Sequence, residues 1–299
     1  MLLFPFYNNK KNRSGIINEK TSSGINSMLN KICIYSILCM LYAHSASAEL
    51  ILTAPPRENP QAGKDLYEPL AKRLTELLKE PVVYKHPGNW LAYQRDMRND
   101  AYDIIFDGPH FISWRIKNRS HAALAKLPGS LQFVIVGRAG DDTVTRPSDL
   151  VGKKICGIPP PNLGTLTVYA AYTYPARQPV IVPVRGGFKK VYKYFADKKC
   201  DAAVFRTTFY AKKLTDEQRK ITKVLLKSNA LTNQGISVST RVSKSARKII
   251  LNAITQGNKI PATRNILKRF GGKAKAFKRA SNKDYVSDYR YLEGIIFGW

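Results

Sequence analysis

The side chains best suited to chemistry follow short apolar runs of the sequence. Within Tyr102–Trp114, the run Ile104–Phe106 ends at Asp107-Gly108-Pro109, and His110 follows. The run predicts a strand, the glycine permits a tight turn, and the proline suits the first turn of a helix. Ligands of open α/β sheets lie beyond the carboxyl ends of strands, where the free N–H groups of a helix favour an anion. Asp107 and His110 are therefore candidate ligand-binding residues, unless the segment is an ordinary strand-to-helix turn around buried aromatic side chains.

Three arginines occupy the same kind of position after other predicted strands. Arg57, Arg185 and Arg206 each follow a run rich in β-forming residues. A planar guanidinium group donates two parallel hydrogen bonds, which match two oxygens of a carboxylate or phosphate-like group. The arginines therefore predict an anionic ligand, although Arg57 has the alternative of an ordinary surface residue.

The segment Asn162–Thr165 stands at the start of a predicted helix and is the best anion site on physical grounds. Bare N–H groups and the Thr165 hydroxyl would face the ligand where the helix dipole favours negative charge. Trp90 and Tyr93, at another helix start, are candidates to wall the site or donate hydrogen bonds, with core packing as the alternative. The full set of candidate ligand-binding residues is Arg57, Trp90, Tyr93, Asp107, His110, Asn162, Gly164, Thr165, Arg185 and Arg206.

Predicted strands and helices alternate along the chain after residue 49. Strands at Leu50–Thr53 and Pro81–Tyr84 enclose a helix whose leucines recur at helical spacing over Tyr67–Leu78. The alternation continues through the strands Lys154–Ile158 and Ala202–Phe205. This order predicts parallel strands with helices packed on the faces of the sheet.

Six segments of the chain resemble a known family, the phosphate/phosphite/phosphonate-type substrate-binding proteins of ABC importers. They are "YDIIFDGPHFISWR", "APPRENP", "HPGNWLAYQRDM", "CGIPPPNLGTLTVY", "KKCDAAVFR" and "LEGIIFGW". The resemblance implies a two-lobed α/β fold, the type 2 periplasmic-binding-protein fold. Each lobe would be a mainly parallel sheet flanked by helices, and a hinge of two crossings would join them. The expected first lobe is residues 49–133 and 236–299, and the expected inserted second lobe is residues 134–235.

The chain departs from this family at two turns. Phosphonate binders of the family carry a Ser-x-Ser-Gly-like turn at the helix corresponding to Asn162–Thr165. They also carry a Gly-Ser-His-like turn where this chain has Gly186-Gly187-Phe188. With one hydroxyl at the first turn and neither Ser nor His at the second, the resemblance leaves the identity of the ligand open. The arginines keep a small phosphate- or phosphonate-like oxyanion as the expected ligand.

The first 48 residues read as a polar extension followed by an export signal. Met28–Lys31 supplies a basic start, Ile32–Tyr42 an apolar run too short to span a bilayer, and Ala46–Ala48 a small-residue end. We predict translation from Met28, cleavage after Ala48 and a periplasmic location.

Export would leave two of the four cysteines, Cys156 and Cys200. An even pair in an oxidising compartment usually forms a disulfide, and these two residues belong to strands that can be neighbours in a parallel sheet. Two unpaired core thiols, or a catalytic cysteine with a histidine, are the alternatives.

The formal net charge is +28, and the residues after position 48 keep +24 of it, since the first 48 hold five Lys/Arg and one Glu. Such a surface attracts anions over long range and also attracts nucleic acid or anionic lipid. Lys259–Lys283 contains nine basic residues and no acidic one, and a solvated helix face is the default interpretation. Without a zinc-finger, RNP or helix-turn-helix pattern, no specific nucleic-acid binding is expected.

These features predict a monomeric periplasmic receptor that closes around a small anion and delivers it to an ABC permease in the inner membrane. A ligand-sensing module for a membrane sensor kinase is the alternative, and an enzyme on the same fold is a third hypothesis. The sequence contains no Gly-x-Ser-x-Gly, His-Glu-x-x-His or P-loop pattern. His86, His110 and His121 have no obvious cluster of metal ligands around them. We expect no catalysis, no cofactor and no bound metal.

Overall fold

The computed structural model describes residues 49–172, 174–257, 261–286 and 288–293. The predicted extension and export signal lie outside these residues. The described chain contains a six-stranded sheet, a five-stranded sheet and a two-stranded ribbon. We call the six-stranded sheet with its helices the first lobe, and the five-stranded sheet with its helices the second lobe.

The strands and helices alternate for most of the chain. In chain order the strands are β1 (Leu50–Thr53), β2 (Val82–Tyr84), β3 (Ile104–Asp107), β4 (Ala122–Lys126), β5 (Ser130–Leu131), β6 (Phe133–Arg138), β7 (Lys154–Gly157), β8 (Val180–Pro183), β9 (Ala202–Arg206), β10 (Thr222–Lys227), β11 (Leu231–Thr232), β12 (Gly235–Val238) and β13 (Lys278–Arg279). The helices are α1 (Pro60–Leu78), α2 (Trp90–Arg98), α3 (Pro109–Arg119), α4 (Leu163–Ala170), α5 (Phe188–Ala196), α6 (Thr207–Lys213), α7 (Asp216–Lys220), α8 (Lys244–Thr255) and α9 (Pro261–Phe270). Short 3-10 turns occur at Pro147–Leu150, Pro175–Arg177, Asn282–Tyr285 and Asp288–Tyr291.

The first-lobe sheet has the strand order β13-β4-β12-β3-β1-β2. Strands β1 to β4 run in one direction, and β12 and β13 run against them. The carboxyl ends of β1 and β3 therefore meet the start of β12 at one edge, where Gly235 lies opposite Asp107. Loops from all three strands reach this edge.

The second-lobe sheet has the order β10-β6-β9-β7-β8. Strands β7, β8 and β9 are parallel, whereas β6 runs against both β9 and β10. The carboxyl ends of β7, β8 and β9 thus share one edge. The ribbon of β5 and β11, with Leu131 opposite Leu231, lies in the two segments that connect the sheets.

The predicted α/β class is confirmed, but both sheets are mixed rather than parallel throughout. The exceptions include β6 and β12, which follow the two connections between the sheets. Each begins at the edge where the neighbouring strands end, so it must run against those strands. Mixed direction is thus a consequence of crossing twice between lobes.

Helix α1 begins earlier than the sequence pattern predicted. α1 starts at Pro60, because the Asn59 side chain accepts a hydrogen bond from the Ala62 N–H at 2.8 Å and caps the helix. Pro69 lies inside this helix and cannot donate to the carbonyl four residues earlier. The Asn265 side chain donates to that carbonyl, Asp65 O, at 3.1 Å instead.

The cores of the two lobes are continuous in part. One buried cluster lies between the first-lobe sheet and the helices α1, α8 and α9. A second cluster contains Ile105 and Phe111 of the first lobe together with Phe133 and Leu163 of the second. The lobes therefore share apolar contacts next to the edges that carry the candidate ligand-binding loops.

The predicted disulfide is confirmed: Cys156 on β7 is bonded to Cys200, which precedes β9. The two Cα atoms are 5.7 Å apart, because β7 and β9 are parallel neighbours with Cys156 opposite Ala203. The bond links β7 to the residue two positions before β9, so it connects two adjacent strands of the second lobe. Within the described ranges, each helix is too short or too polar to cross a membrane.

Candidate functional site

Arg57 lies beyond the carboxyl end of β1, where its guanidinium group contacts the residue before β12 and two aromatic rings of the first lobe. Nη1 donates to Gln234 Oε1 at 2.5 Å, and Cζ lies 4.9 Å from the centre of the Phe270 ring and 5.7 Å from that of Phe106. Gln234 immediately precedes β12, so the hydrogen bond ties the first strand to the returning connection. Arg57 stays exposed, which leaves its other donors open to a ligand at this edge.

Asp107 and Tyr93 form a closed group with Arg115 of α3. The Asp107 carboxylate accepts hydrogen bonds from Arg115 Nη1 and the Tyr93 hydroxyl, and Arg115 Nη2 donates to that hydroxyl at 2.8 Å. Burial alone would lower the pKa of Arg115, but Tyr93 and Asp107 raise it above its ordinary value, so the guanidinium stays charged. The side chains of Asp107 and Arg115 are 0% and 2% exposed. Their donors and acceptors are directed at one another, which is the arrangement of an ion pair that holds the fold.

His110 joins the two lobes. It is 4% exposed, and its Nε2 lies 3.2 Å from the carbonyl oxygen of Pro161 in the second lobe. Burial lowers the pKa of His110 to about 3, so the ring is neutral and Nε2 holds the proton that it donates to this carbonyl. Nδ1 is then an acceptor without a hydrogen-bond partner among the described residues. At neutral pH His110 brings no charge to a ligand.

The start of α4 is partly satisfied by its own residues. Asn162 Oδ1 accepts from the Gly164 N–H at 3.0 Å and caps the helix, and the Thr165 hydroxyl donates to the carbonyl of Ile158. Thr165 is fully buried and Asn162 is half-buried. One of the N–H groups predicted to face a ligand, and the predicted hydroxyl, are thus already engaged within the loop, which leaves α4 fewer donors for an anion than the sequence indicated.

Arg206 and Arg185 lie on either side of the loop that follows β7. Cys156 lies opposite Ala203 on β9 and Gly157 opposite Pro183 on β8, so the ends of these strands place the two arginines beside Ile158–Pro161. Arg185 is exposed, whereas Arg206 is half-buried. Both belong to the same edge of the second lobe.

Arg206 has no ion-pair partner among the described residues, and its Nε atom is buried without a hydrogen-bond acceptor. Burial lowers the pKa of Arg206 below its ordinary value, since no carboxylate compensates for the lost hydration. The hydroxyl of Thr207, the next residue, is also buried and has no hydrogen-bond partner among the described residues. A half-buried cation and, at the next position, a buried hydroxyl provide donors for an anion that is supplied from outside the chain.

Trp90 lies at the start of α2 and forms part of an aromatic cluster. Its ring is stacked on Phe111 with centres 6.2 Å apart and meets the edge of Tyr93 at 6.0 Å. It is half-buried, so one part of the ring packs in the cluster and the rest reaches the surface of the first lobe. Its predicted role as a wall of the ligand site stays a prediction.

Sequence reasoning missed two residues that define this region: Arg115, which balances Asp107, and Gln234, which holds Arg57. Neither carries a local sequence signal, because their partners lie elsewhere in the chain. Among the described residues, no group of three or more His, Cys, Asp or Glu side chains is placed to hold a metal ion.

Residues 52–285 match the family of ABC transporter, phosphonate, periplasmic substrate-binding proteins. The chain belongs to this family. No curated protein sequence matches it. The family consists of transporter binding proteins rather than enzymes, which confirms the non-enzymatic function predicted from the sequence.

Solved structures with the same fold include several binding proteins. PhnD1 from Prochlorococcus marinus, in complex with methylphosphonate, is 14% identical with a TM-score of 0.60, covering 83% of this chain and 97% of that one. A binding-protein component of an ABC phosphonate transporter from Pseudomonas aeruginosa is 13% identical with a TM-score of 0.56, covering 79% and 83%. A Xanthomonas citri protein bound to ATP is 10% identical with a TM-score of 0.66, covering 84% and 100%. At these identities the likeness shows the fold, and the type 2 periplasmic-binding-protein fold is confirmed.

Proposed function

We propose that this periplasmic binding protein closes its lobes around one small oxyanion of phosphate or phosphonate type and presents it to the permease of an ABC importer. The observation that carries the proposal is Arg206, a partly desolvated guanidinium with no carboxylate partner among the described residues. A buried charge without a partner is costly, and an anionic ligand removes that cost. Thr207, at the next position, adds a hydroxyl that is free to donate.

The remaining donors come from both lobes. Arg185 reaches the same edge of the second lobe, and Arg57 keeps free donors at the edge of the first. The neutral His110 and the half-buried Trp90 are proposed to wall the site rather than to bind the charge. Asn162, Gly164 and Thr165 are proposed to shape the loop next to Arg206, while Tyr93 and Asp107 support the site through Arg115.

Closure is proposed to occur about the β5–β11 ribbon. Residues 49–133 and 236–299 would move as one lobe and residues 134–235 as the other, because the ribbon lies in both connections. Small-angle scattering is expected to show a smaller radius of gyration when a saturating ligand is added. An unchanged radius with bound ligand would contradict hinge closure.

The decisive experiment is calorimetric titration of the protein with phosphate, phosphite, methylphosphonate, sulfate and acetate. Methylphosphonate is included because PhnD1 was solved with it. At least one oxyanion is expected to bind saturably, and Arg206→Met is expected to weaken it about thirtyfold or more, as truncating a buried charge contact does. Arg177→Met, which removes an exposed arginine of the same lobe, is the matched control and is expected to leave affinity unchanged. Wild-type affinity in Arg206→Met would contradict the site, and no heat with any of the five anions would contradict the ligand class.

Export and assembly follow from the same proposal. Translation from Met28 and cleavage after Ala48 would give a periplasmic protein that begins at Glu49, which N-terminal sequencing of the exported chain checks. We further propose that the protein is a monomer without specific affinity for nucleic acid, which light scattering and a binding assay in moderate salt check. A dimer in light scattering would contradict this part of the proposal.

A further inference from the structure

The positive charge is distributed unevenly along the chain. Residues 49–133 contain 12 Lys/Arg and 10 Asp/Glu, residues 134–235 contain 18 and 7, and residues 236–299 contain 14 and 3. From Gln218 to Lys283 inclusive there are 17 basic residues and no acidic one. The ligand site proposed above uses only three arginines, two exposed and one half-buried, so most of this charge has no role in it.

Nine exposed cations belong to α8, α9 and the segment that follows them. We call them the C-terminal basic surface: Lys244, Lys248, Arg264, Lys268, Lys273, Lys275, Lys278, Arg279 and Lys283. None of the nine forms an ion pair with a carboxylate of the described residues, whereas the nearby Arg269 lies 3.4 Å from Glu58. The surface is therefore a set of uncompensated charges.

The elements that carry these cations pack against one another. The Thr263 hydroxyl at the start of α9 donates to the Gly257 carbonyl just after α8, at 3.1 Å. A Cβ at Gly257 would overlap the carbonyl of Lys275, so residues 271–283 pass directly beside the same point. Arg279 and Leu251 line one groove between β13 and α8. The nine cations thus belong to one continuous part of the first lobe.

Helical spacing directs the charges outward. Lys244 and Lys248 are four residues apart on α8, and Arg264 and Lys268 are four apart on α9, so each pair lies on one helix face. The opposite faces contain Ile250 and Ile266, both fully buried in the core. A core-facing side and a cationic outer side are separated on both helices.

The neighbouring helix α1 shows what a balanced surface looks like in the same lobe. Two of its cations are paired within the helix, Lys72 with Glu68 and Arg73 with Glu76. The C-terminal basic surface lacks such partners, and cations held close together repel one another. A polyanionic partner would remove this repulsion.

We propose that the C-terminal basic surface binds the headgroups of an anionic phospholipid bilayer. The family consists of periplasmic components of membrane transporters, so a bilayer is the extended polyanion next to which they work. Clusters of about four to eight Lys/Arg are sufficient to hold a protein at an anionic leaflet. The surface lies on the first lobe, so attachment leaves the second lobe free to move.

A nucleic acid suits this surface less well. Single strands bind proteins through basic grooves with exposed aromatic rings on which bases stack. Among the described residues, Tyr174 is the strongly exposed aromatic side chain, and it belongs to the second lobe. The C-terminal basic surface offers charge without stacking partners, which matches a layer of lipid headgroups.

The test is co-sedimentation of the exported protein with vesicles of phosphatidylcholine alone and with phosphatidylglycerol added. We expect binding only to the anionic vesicles, and weaker binding as salt is raised, because screening shortens the range of the attraction. The test variant carries Lys244→Gln, Lys248→Gln, Lys268→Gln, Lys275→Gln and Lys278→Gln. It is expected to lose about a hundredfold or more in affinity for anionic vesicles.

The matched control removes five exposed lysines of the second lobe with Lys154→Gln, Lys189→Gln, Lys212→Gln, Lys213→Gln and Lys220→Gln. Its affinity for anionic vesicles is expected to fall less than about threefold, since these residues lie away from the proposed contact. Equal losses in the two variants would overturn the proposal in favour of net charge alone. Equal binding to both vesicle types, or tighter binding to an oligonucleotide at the same salt, would also overturn it. Both variants should keep the oxyanion affinity of the wild type, which separates failure of this surface from failure of the ligand site.

Discussion

Two arginines at the edges of the two lobes differ in what surrounds the guanidinium group. Arg115 of the first lobe is enclosed by the Asp107 carboxylate and the Tyr93 hydroxyl, and its side chain is 2% exposed. Arg206 of the second lobe is partly buried, and its Nε has no acceptor among the described residues. The environment raises the pKa of Arg115 above its ordinary value and lowers that of Arg206.

The difference indicates that Arg115 stabilises the fold, whereas Arg206 is the charge proposed to bind the ligand. Where the chain supplies a buried carboxylate, the pair is satisfied and a ligand has nothing to add. Where the chain supplies none, the charge remains available to an anion from outside. The first-lobe group is thus a support, and the second-lobe group is the proposed contact with the ligand.

The largest expected effect comes from breaking the Arg115 group. Asp107→Ala leaves a buried guanidinium without its counterion and is expected to lower the free energy of unfolding by about 3–5 kcal/mol. Urea denaturation measures this, with Glu76→Ala at the exposed pair with Arg73 as the control, for which about 0–1 kcal/mol is expected. A loss at Asp107 no larger than the control would show that the group does not support the fold.

Removing both charges of the Asp107–Arg115 pair should lower the free energy of unfolding less than removing one of them. Asp107→Leu combined with Arg115→Met leaves no unpaired buried charge, so we expect it to recover at least about half of the stability lost in Asp107→Leu alone. The comparison is a double-mutant cycle in urea. Additive losses would mean that the two side chains act independently, contrary to the hydrogen bonds between them.

A carboxylate introduced next to Arg206 should make it a compensated charge like Arg115, with less to gain from an anionic ligand. Thr207→Asp supplies an internal counterion, so we expect a higher melting temperature without ligand and about tenfold weaker oxyanion binding. Thr208→Asp, one position further and exposed, is the matched control with the same change of net charge. If both variants bind the oxyanion equally, local compensation of Arg206 does not control binding.

The smallest effect concerns Asp288, a buried carboxyl group whose Oδ2 lacks a partner in the described part of the chain. Burial raises the pKa of Asp288 to about 6. Because the folded pKa lies above the unfolded one, the contribution to stability is present in acid and is lost as pH rises through about 6. Asp288→Asn should therefore stabilise the protein more at about pH 7 than at about pH 4, as measured by urea midpoints.

The pKa of Asp284, in the same segment, is shifted in the opposite direction from that of Asp288. A hydrogen bond from Lys126 is the main cause that lowers its pKa, so its contribution is present at neutral pH and is lost as pH falls. Asp284→Asn should destabilise the protein more at neutral than at acidic pH. The same pH trend in both variants would contradict the distinction between compensated and uncompensated charges in this segment.

Local sequence signals were sufficient for much of the fold. The strand that carries Cys156 and the strand after Cys200 were predicted from apolar runs, and their pairing follows from the alternation of strands and helices. The early start of α1 was also signalled, since Asn59 followed by Pro60 is a typical helix beginning. The prediction relied instead on the helical spacing of the later leucines, which begins only at about Tyr67.

The hydrogen-bond partners of polar side chains could not be predicted from local sequence signals. Thr165 was predicted to face a ligand, but its hydroxyl donates to Ile158, a choice that depends on how the loop after β7 bends. Asp107 was predicted as a ligand contact, and its pairing with Arg115 depends on the angle at which α3 leaves β3. Residue type shows what a side chain can bind, and loop geometry selects among the groups within reach.

The sequence by itself determined the order of strands and helices, the cysteine pair and the presence of arginines at strand ends, because these depend on residue type and spacing. Tertiary structure decided which of these charges are compensated. Arg57 meets Gln234 across 177 positions and His110 meets Pro161 across 51. Desolvation and Coulomb energy depend on distance and burial in space. Only the folded chain therefore distinguishes an arginine with an internal counterion from one that is left to bind an external anion.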